Sequence, residues 1–236
     1  IFTGSSHPMP TGRIFGGQVL AQAIIAADRT TGEDRVPHSM HGYFLRPGDA
    51  SQGVTLSVDR IHDGRSFSTR RTQAFQHGVP IFSMISSFEH EDPGLDHQHP
   101  IPEGVLSPEE AQQRTDATTL HPLSQRLVSD SPIELVHADG AIYDRVPGPH
   151  VPQQHVWMRT RRPIGDDPAL HRAVLAYMSD LTIQEPVLRA HGVPWSLRGL
   201  KVASLDHAMW WHRPARVDEW LLYAQQSPSA RGGRGL

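Results

Sequence analysis

Apolar residues recur at helical spacing between Gly17 and Arg29, where Val19, Ala23, Ile24 and Ala27 fall among other small residues. Small side chains on most faces predict a helix buried on several sides. Phe15-Gly16-Gly17 just before it allows a tight backbone approach. The hydrophobic period then shortens to two. His38 to Arg46 is rich in aromatic and apolar residues and stops at Pro47-Gly48-Asp49. Val54 to Ile61 alternates Val54, Leu56 and Val58 with polar partners, and Asp63-Gly64 follows as a hairpin signal. Ser66 to Gln76 and Pro80 to Phe88 flank a second turn at His77-Gly78. Residues 1–92 therefore read as one domain, a buried helix followed by an antiparallel meander.

The pattern lapses over 93–152, a stretch rich in Pro, His, Asp and Gln with a short helix expected at Pro108 to Arg114. It reads as a partly ordered linker. From 153 to 236 the first pattern returns as a second domain. Val156 to Arg161 reads as a strand, and Asp167-Pro168 opens a helix with Pro in its first turn. Leu170, Val174, Leu175 and Met178 line one face of that helix. Leu200 to His212 and Trp220 to Gln226 read as further strands.

The two halves share local text. Ser39-Met40-His41-Gly42-Tyr43-Phe44-Leu45-Arg46-Pro47 resembles Asp206-His207-Ala208-Met209-Trp210-Trp211-His212-Arg213-Pro214. An internal duplication is the economical explanation, and coincidence of two amphipathic strands is the alternative. The second copy has two strands and the start of a third at Arg231 to Leu236. Its C-terminal strands are therefore expected to be missing, with about 35 further residues beyond Leu236 by analogy with the first copy.

Composition narrows the function classes. In 236 residues, 37% hydrophobic and 20% charged content suits a soluble globular protein with a core. A formal net charge of -3 gives no basic excess for nucleic acid. No apolar run approaches the roughly 20 residues of a membrane helix. The absence of cysteine excludes a disulfide framework, a Cys-based zinc site and a thiol nucleophile.

Candidate chemistry is sparse. His90, His97 and His99 share no helical face, so a solvated loop is expected rather than a metal site. Ser66 and Ser68 lack a Gly-x-Ser-x-Gly setting, and Gly16-Gly17 has neither Rossmann nor P-loop spacing. Asp206 and His207 look like an acid–base pair, but strand neighbours face opposite sides and cannot both enter one site. His38 and His41 suit a structural or domain-contact role. Asp180 ends the second helix, where a negative charge opposes the helix dipole.

Several long blocks resemble the acyl-CoA thioesterase II family, the TesB type. They are Phe15-Gly16-Gly17-Gln18, the run from His38 to Asp49, Asp63-Gly64-Arg65-Ser66-Phe67, Leu175 to Asp180, Ser204 to Trp210, His212-Arg213-Pro214 and Asp218 to Tyr223. The likeness covers nearly the whole chain outside the linker. It implies an α+β double hotdog, two antiparallel sheets each wrapped around a central helix, and hydrolysis of fatty acyl-CoA to free acid and coenzyme A. The family's catalytic group is an Asp, a Thr or Ser hydroxyl and a Gln that together activate a water. The Asp falls on Asp180 and the hydroxyl on Ser204, while the Gln falls beyond Leu236. Coenzyme A phosphates give Arg46, Arg70, Arg71 and Arg213 a second reading besides ordinary surface. The resemblance also implies a homodimer or higher homo-oligomer. No cofactor, metal, nucleic acid or membrane partner is expected, and the setting is expected to be cytoplasmic. Rival readings are a non-catalytic acyl-CoA sensor and an enoyl-CoA hydratase-type hotdog enzyme. Leu181-Thr182-Ile183-Gln184-Glu185 lacks the helix histidine the hydratase usually has after its Asp.

Overall fold

The computed structural model describes residues 1–9, 11–114 and 131–236. The chain forms two compact units, each assembled from separate stretches of sequence. The first takes residues 1–96, 166–181 and 203–215, and the second takes 97–165, 182–202 and 216–236.

In the first unit, helix α1 (Gly16–Asp28) lies against a six-stranded sheet. The strands are β1 (Phe2–Gly4), β2 (Val36–Phe44), β3 (Val54–Asp63), β4 (Phe67–Gln76), β5 (Val79–Glu89) and β8 (Asp206–Trp210), in the order β1-β3-β4-β5-β2-β8. Every pairing in this sheet is antiparallel. Leu20, Ala23, Ile24, Ala26 and Ala27 of α1 are all buried, as the run of small residues predicts. They meet Met40, Val54, Leu56, Ala74, Phe82, Met84 and Phe88 from the sheet. Enclosing α1 this way removes a large apolar area from water, the main favourable term in folding. A sheet curved over a central helix is the hotdog arrangement.

Helix α3 (Pro168–Ser179) belongs to this same unit and packs on α1. Asp167 caps it, accepting from Ala169 N at 2.9 Å, and Pro168 occupies its first turn. The expected apolar face of Leu170, Val174, Leu175 and Met178 is only partly right. The buried stripe is His171, Arg172, Ala173, Ala176 and Met178. Ala173 and Ala176 join the alanines of α1 in one core, and small side chains permit close helix approach.

The two strands of similar text are hydrogen-bonded neighbours. β2 and β8 run antiparallel, with Ser39 opposite Trp210, His41 opposite Ala208 and Tyr43 opposite Asp206. The expected strand from Leu200 to His212 is shorter than its pattern suggests. Phe44 N still donates to Leu205 O, but Leu45 and Arg46 turn their N–H groups to Ile81 O. No β2 backbone remains to pair with the residues before Leu205.

The second unit holds a three-stranded antiparallel sheet, β6 (Ile133–His137), β7 (Gln153–Thr160) and β9 (Leu221–Gln226), in that order. Helices α2 (Pro108–Arg114) and α4 (Glu185–Ala190) accompany it, with a short pairing of β10 (Ala230–Arg231) and β11 (Arg234–Gly235). The stretch 93–152 thus carries both α2 and β6. At the centre is buried Arg189, which donates to Gln154 Oε1 at 2.5 Å, Pro147 O at 2.7 Å and Gly140 O at 2.5 Å. Buried Glu185 accepts from His137 Nε2 at 3.0 Å and from Trp195 Nε1 at 3.1 Å. Among the described residues, no helix is long and apolar enough to cross a membrane.

Candidate active site

Two helix ends meet at Asp180. It is the C-terminal cap of α3, and its carboxylate lies at the N-terminus of α1. Helix N-termini leave backbone N–H groups without intrahelical partners, and these attract negative charge. Gly17 N–H donates to the Asp180 carboxylate. The unfavourable position of an acid at the end of α3 is thereby offset by the start of α1. Phe15-Gly16-Gly17 makes the approach possible. A Cβ on Gly16 would lie 2.7 Å from Asp180 Oδ2 and 3.0 Å from Phe44 Cζ. A Cβ on Gly17 would lie 2.4 Å from the carbonyl oxygen of Tyr177 in the last turn of α3. Phe15 itself packs edge-on against Tyr177, with ring centroids 4.9 Å apart.

Ser204 lies just before β8 and donates its hydroxyl to Asp180 Oδ1 at 2.7 Å. The structure therefore joins the two residues singled out from the sequence, across 24 positions of chain. Asp180 is 8% exposed, and burial pushes its pKa up to about 6 against the opposing effects of the Ser204 hydroxyl and the Gly17 N–H. A carboxylate in this setting is ionised at neutral pH and still has appreciable proton affinity, as a general base requires.

Strand alternation separates Asp206 from His207. Asp206 faces outward and accepts from His41 Nε2 at 3.0 Å, in a pair about half exposed on both sides. His207 faces inward, buried, with Nδ1 3.9 Å from Asp180 Oδ1 and Nε2 3.0 Å from Ser179 Oγ. No local pattern in the sequence predicts the proximity of His207 to Asp180. The available signal was a histidine alternating with Met209 on the inward face of an aromatic strand. His38 rests edge-on against Phe67 with centroids 5.7 Å apart, away from Asp180's polar partners.

The four arginines divide. Arg70 is only 1% exposed and fully committed, donating to Thr30 Oγ1 at 2.8 Å, Thr30 O at 3.0 Å, His62 O at 3.0 Å and Asp63 Oδ1 at 2.5 Å. It ties the residues after α1 to the β3–β4 hairpin and is not a phosphate contact. Arg71 pairs with Asp59 at 2.7 Å, Arg46 donates to Pro80 O at 2.8 Å, and Arg213 pairs with Asp96. Among the described residues, no group of three or more His, Cys, Asp or Glu is placed to hold a metal ion.

Residues 5–89 match the acyl-CoA thioesterase N-terminal domain family, and residues 131–236 match the acyl-CoA thioesterase family. Acyl-CoA thioesterase 2 of Haemophilus influenzae is 34% identical over all of this chain and 84% of its own length. Human acyl-coenzyme A thioesterase 8 is 36% identical over all of this chain and 77% of its own length. The crystal structure of acyl-CoA thioesterase II TesB2 from Mycobacterium marinum superposes with a TM-score of 0.78 and is 42% identical, covering 99% of this chain and 82% of that one. Their agreement with the double-hotdog elements and with the quoted sequence blocks shows that the chain belongs to the TesB-type acyl-CoA thioesterase II family.

Proposed function

We propose that this chain hydrolyses the thioester of fatty acyl-CoA, giving free fatty acid and coenzyme A, through a water activated by Asp180 with Ser204. The observation that carries the reading is the buried Asp180 carboxylate, held between the Ser204 hydroxyl and the Gly17 N–H with its pKa pushed up to about 6. A thioester is already activated, so the reaction needs a placed water, a base and stabilisation of the developing oxyanion. One water O–H bond breaks as Asp180 takes the proton, and the water oxygen bonds to the carbonyl carbon. Collapse of the tetrahedral intermediate breaks the C–S bond. The thiolate of coenzyme A leaves and is protonated by Asp180 or solvent. No covalent acyl-enzyme is needed.

Release of free coenzyme A from acyl-CoA of graded chain length tests the proposal, with Asp180→Asn as control. Asp180→Asn should lose most of the turnover while retaining substrate binding. Full activity in that variant would remove Asp180 from the mechanism. Absence of turnover at every chain length would favour the non-catalytic sensor. The homo-oligomer and the cytoplasmic setting belong to the same proposal. Sedimentation of the purified chain and fractionation of cells test them.

A further inference from the structure

His207 has no part in the mechanism above, although it is the buried titratable group nearest the acid. It is 4% exposed, and its Nδ1, 3.9 Å from Asp180 Oδ1, has no hydrogen-bond partner among the described residues. The other ring nitrogen fixes the tautomer. Ser179 donates its hydroxyl hydrogen to Ala176 O at 2.9 Å, and a hydroxyl has one hydrogen to give. At the 3.0 Å contact with His207, Ser179 Oγ is then the acceptor and Nε2 carries the ring proton. Nδ1 keeps a bare lone pair facing the carboxyl group. That arrangement is poor while Asp180 is ionised and becomes favourable once Asp180 is protonated.

We propose that His207 is a positioning residue for the hydrolysis, whose unprotonated Nδ1 receives a hydrogen bond from Asp180 after that carboxyl has taken a proton from the attacking water. The inference rests on Asp180 acting as the base. The transferred hydrogen stays bonded to Asp180 and is shared with the ring nitrogen. The two groups need close by only about 1 Å to reach hydrogen-bonding distance. The bond raises the proton affinity of the base at the step that demands it, without adding a charge beside it. Among the described residues, the titratable groups acting on the ring are Asp180 from the end of α3, on its own side of the sheet, and Asp206 from β8 and His41 from β2 on the other. Burial holds the His207 pKa below its usual value, outward-facing Asp206 opposes this, and His41 adds to it. Burial of the ring thus favours its neutral form.

Two substitutions divide the ring's two functions. In His207→Gln the amide nitrogen can stand in for Nε2 and keep the Ser179 contact, with nothing in place of Nδ1. In His207→Asn the amide oxygen can stand in for Nδ1 as an acceptor, and the Ser179 contact is lost. We expect kcat/KM for acyl-CoA hydrolysis to fall on the order of tenfold in the Gln variant, with its acid limb moved to lower pH. The Asn variant should keep most of the rate and the wild-type limb. A Gln variant with wild-type rate and limb, or an Asn variant as impaired as Gln, would overturn the proposal. Should the variants fold poorly, 15N shifts of labelled histidine in the wild-type protein still decide. Nε2–H with bare Nδ1 is expected at His207, and the Nδ1–H tautomer would refute the proposal. Asp180→Asn in the same assay separates the two levels. If it is inactive while His207→Gln is unaffected, only the role of His207 fails. If it is fully active, the base itself has been misassigned.

Discussion

The carboxylate of Asp180 fills the space that a side chain on Gly16 would need, since a Cβ there would fall 2.7 Å from Asp180 Oδ2. The acid's position is thus set by the absence of an atom in another helix. Gly16→Ala should push the carboxylate or the Phe44 ring aside. Overpacking of this kind costs about 1–3 kcal/mol. Expected outcomes are a lowered melting temperature and a kcat/KM reduced by more than that of Gly94→Ala. Gly94 is exposed, and a Cβ there would meet nothing within 4 Å.

Asp180 should leave a sign in the pH dependence of stability. Its folded pKa is raised from 3.8 to about 6, so between these values the folded state binds more protons than the unfolded state. Stability from this group is therefore present below the unfolded pKa and declines as pH rises to about 6. Asp180→Asn removes that slope. From about pH 4 to pH 8 it should gain on the order of 3 kcal/mol relative to wild type. Denaturant unfolding at several pH values measures the difference.

The acid limb of kcat/KM should reflect the same group, with activity lost as pH falls below about 6. The Ser204 hydroxyl lowers the Asp180 pKa. Ser204→Ala should accordingly shift the limb to higher pH and reduce the rate. Ser204→Thr keeps the hydroxyl and should restore both. A pH–rate profile of the two variants provides the check.

In the second unit, Arg189→Met should be strongly destabilising. The guanidinium satisfies Gln154 and the carbonyls of Pro147 and Gly140, and its removal leaves those acceptors buried without a donor. Each buried acceptor left without a donor costs about 1–3 kcal/mol. Thermal unfolding of the variant reads the loss directly.

Elements with strong local patterns were legible in the sequence. α1 begins and ends within one residue of its expected bounds, and β3 to β5 match their alternation to within two. These residues face one core whose periodicity they carry themselves. α3 was harder, because its buried face is chosen by the alanines of α1 rather than by its own larger apolar residues. β6, five residues long, was hidden in a stretch rich in proline and polar residues. Residues 200–204 have strand-like text but, among the described residues, no strand backbone to pair with. At the site, Asp180 and Ser204 were named through resemblance, and their 2.7 Å contact follows from the fold. The nearness of His207 and the Gly17 N–H depends on how helix ends and a strand face converge, which no local pattern encodes.

The pairing of β2 with β8 bears on how this gene can change. β2 lies between β5 and β8, its look-alike edge strand, and β8 belongs to the unit built around α1. Asp180, Ser204 and His207, all encoded late in the chain, are thus mounted on a body encoded early. The acid and the helix start that steadies it come from distant stretches of chain held together by packing. β8 and the residues around it have their place in the sheet and core of α1, not in a body of their own.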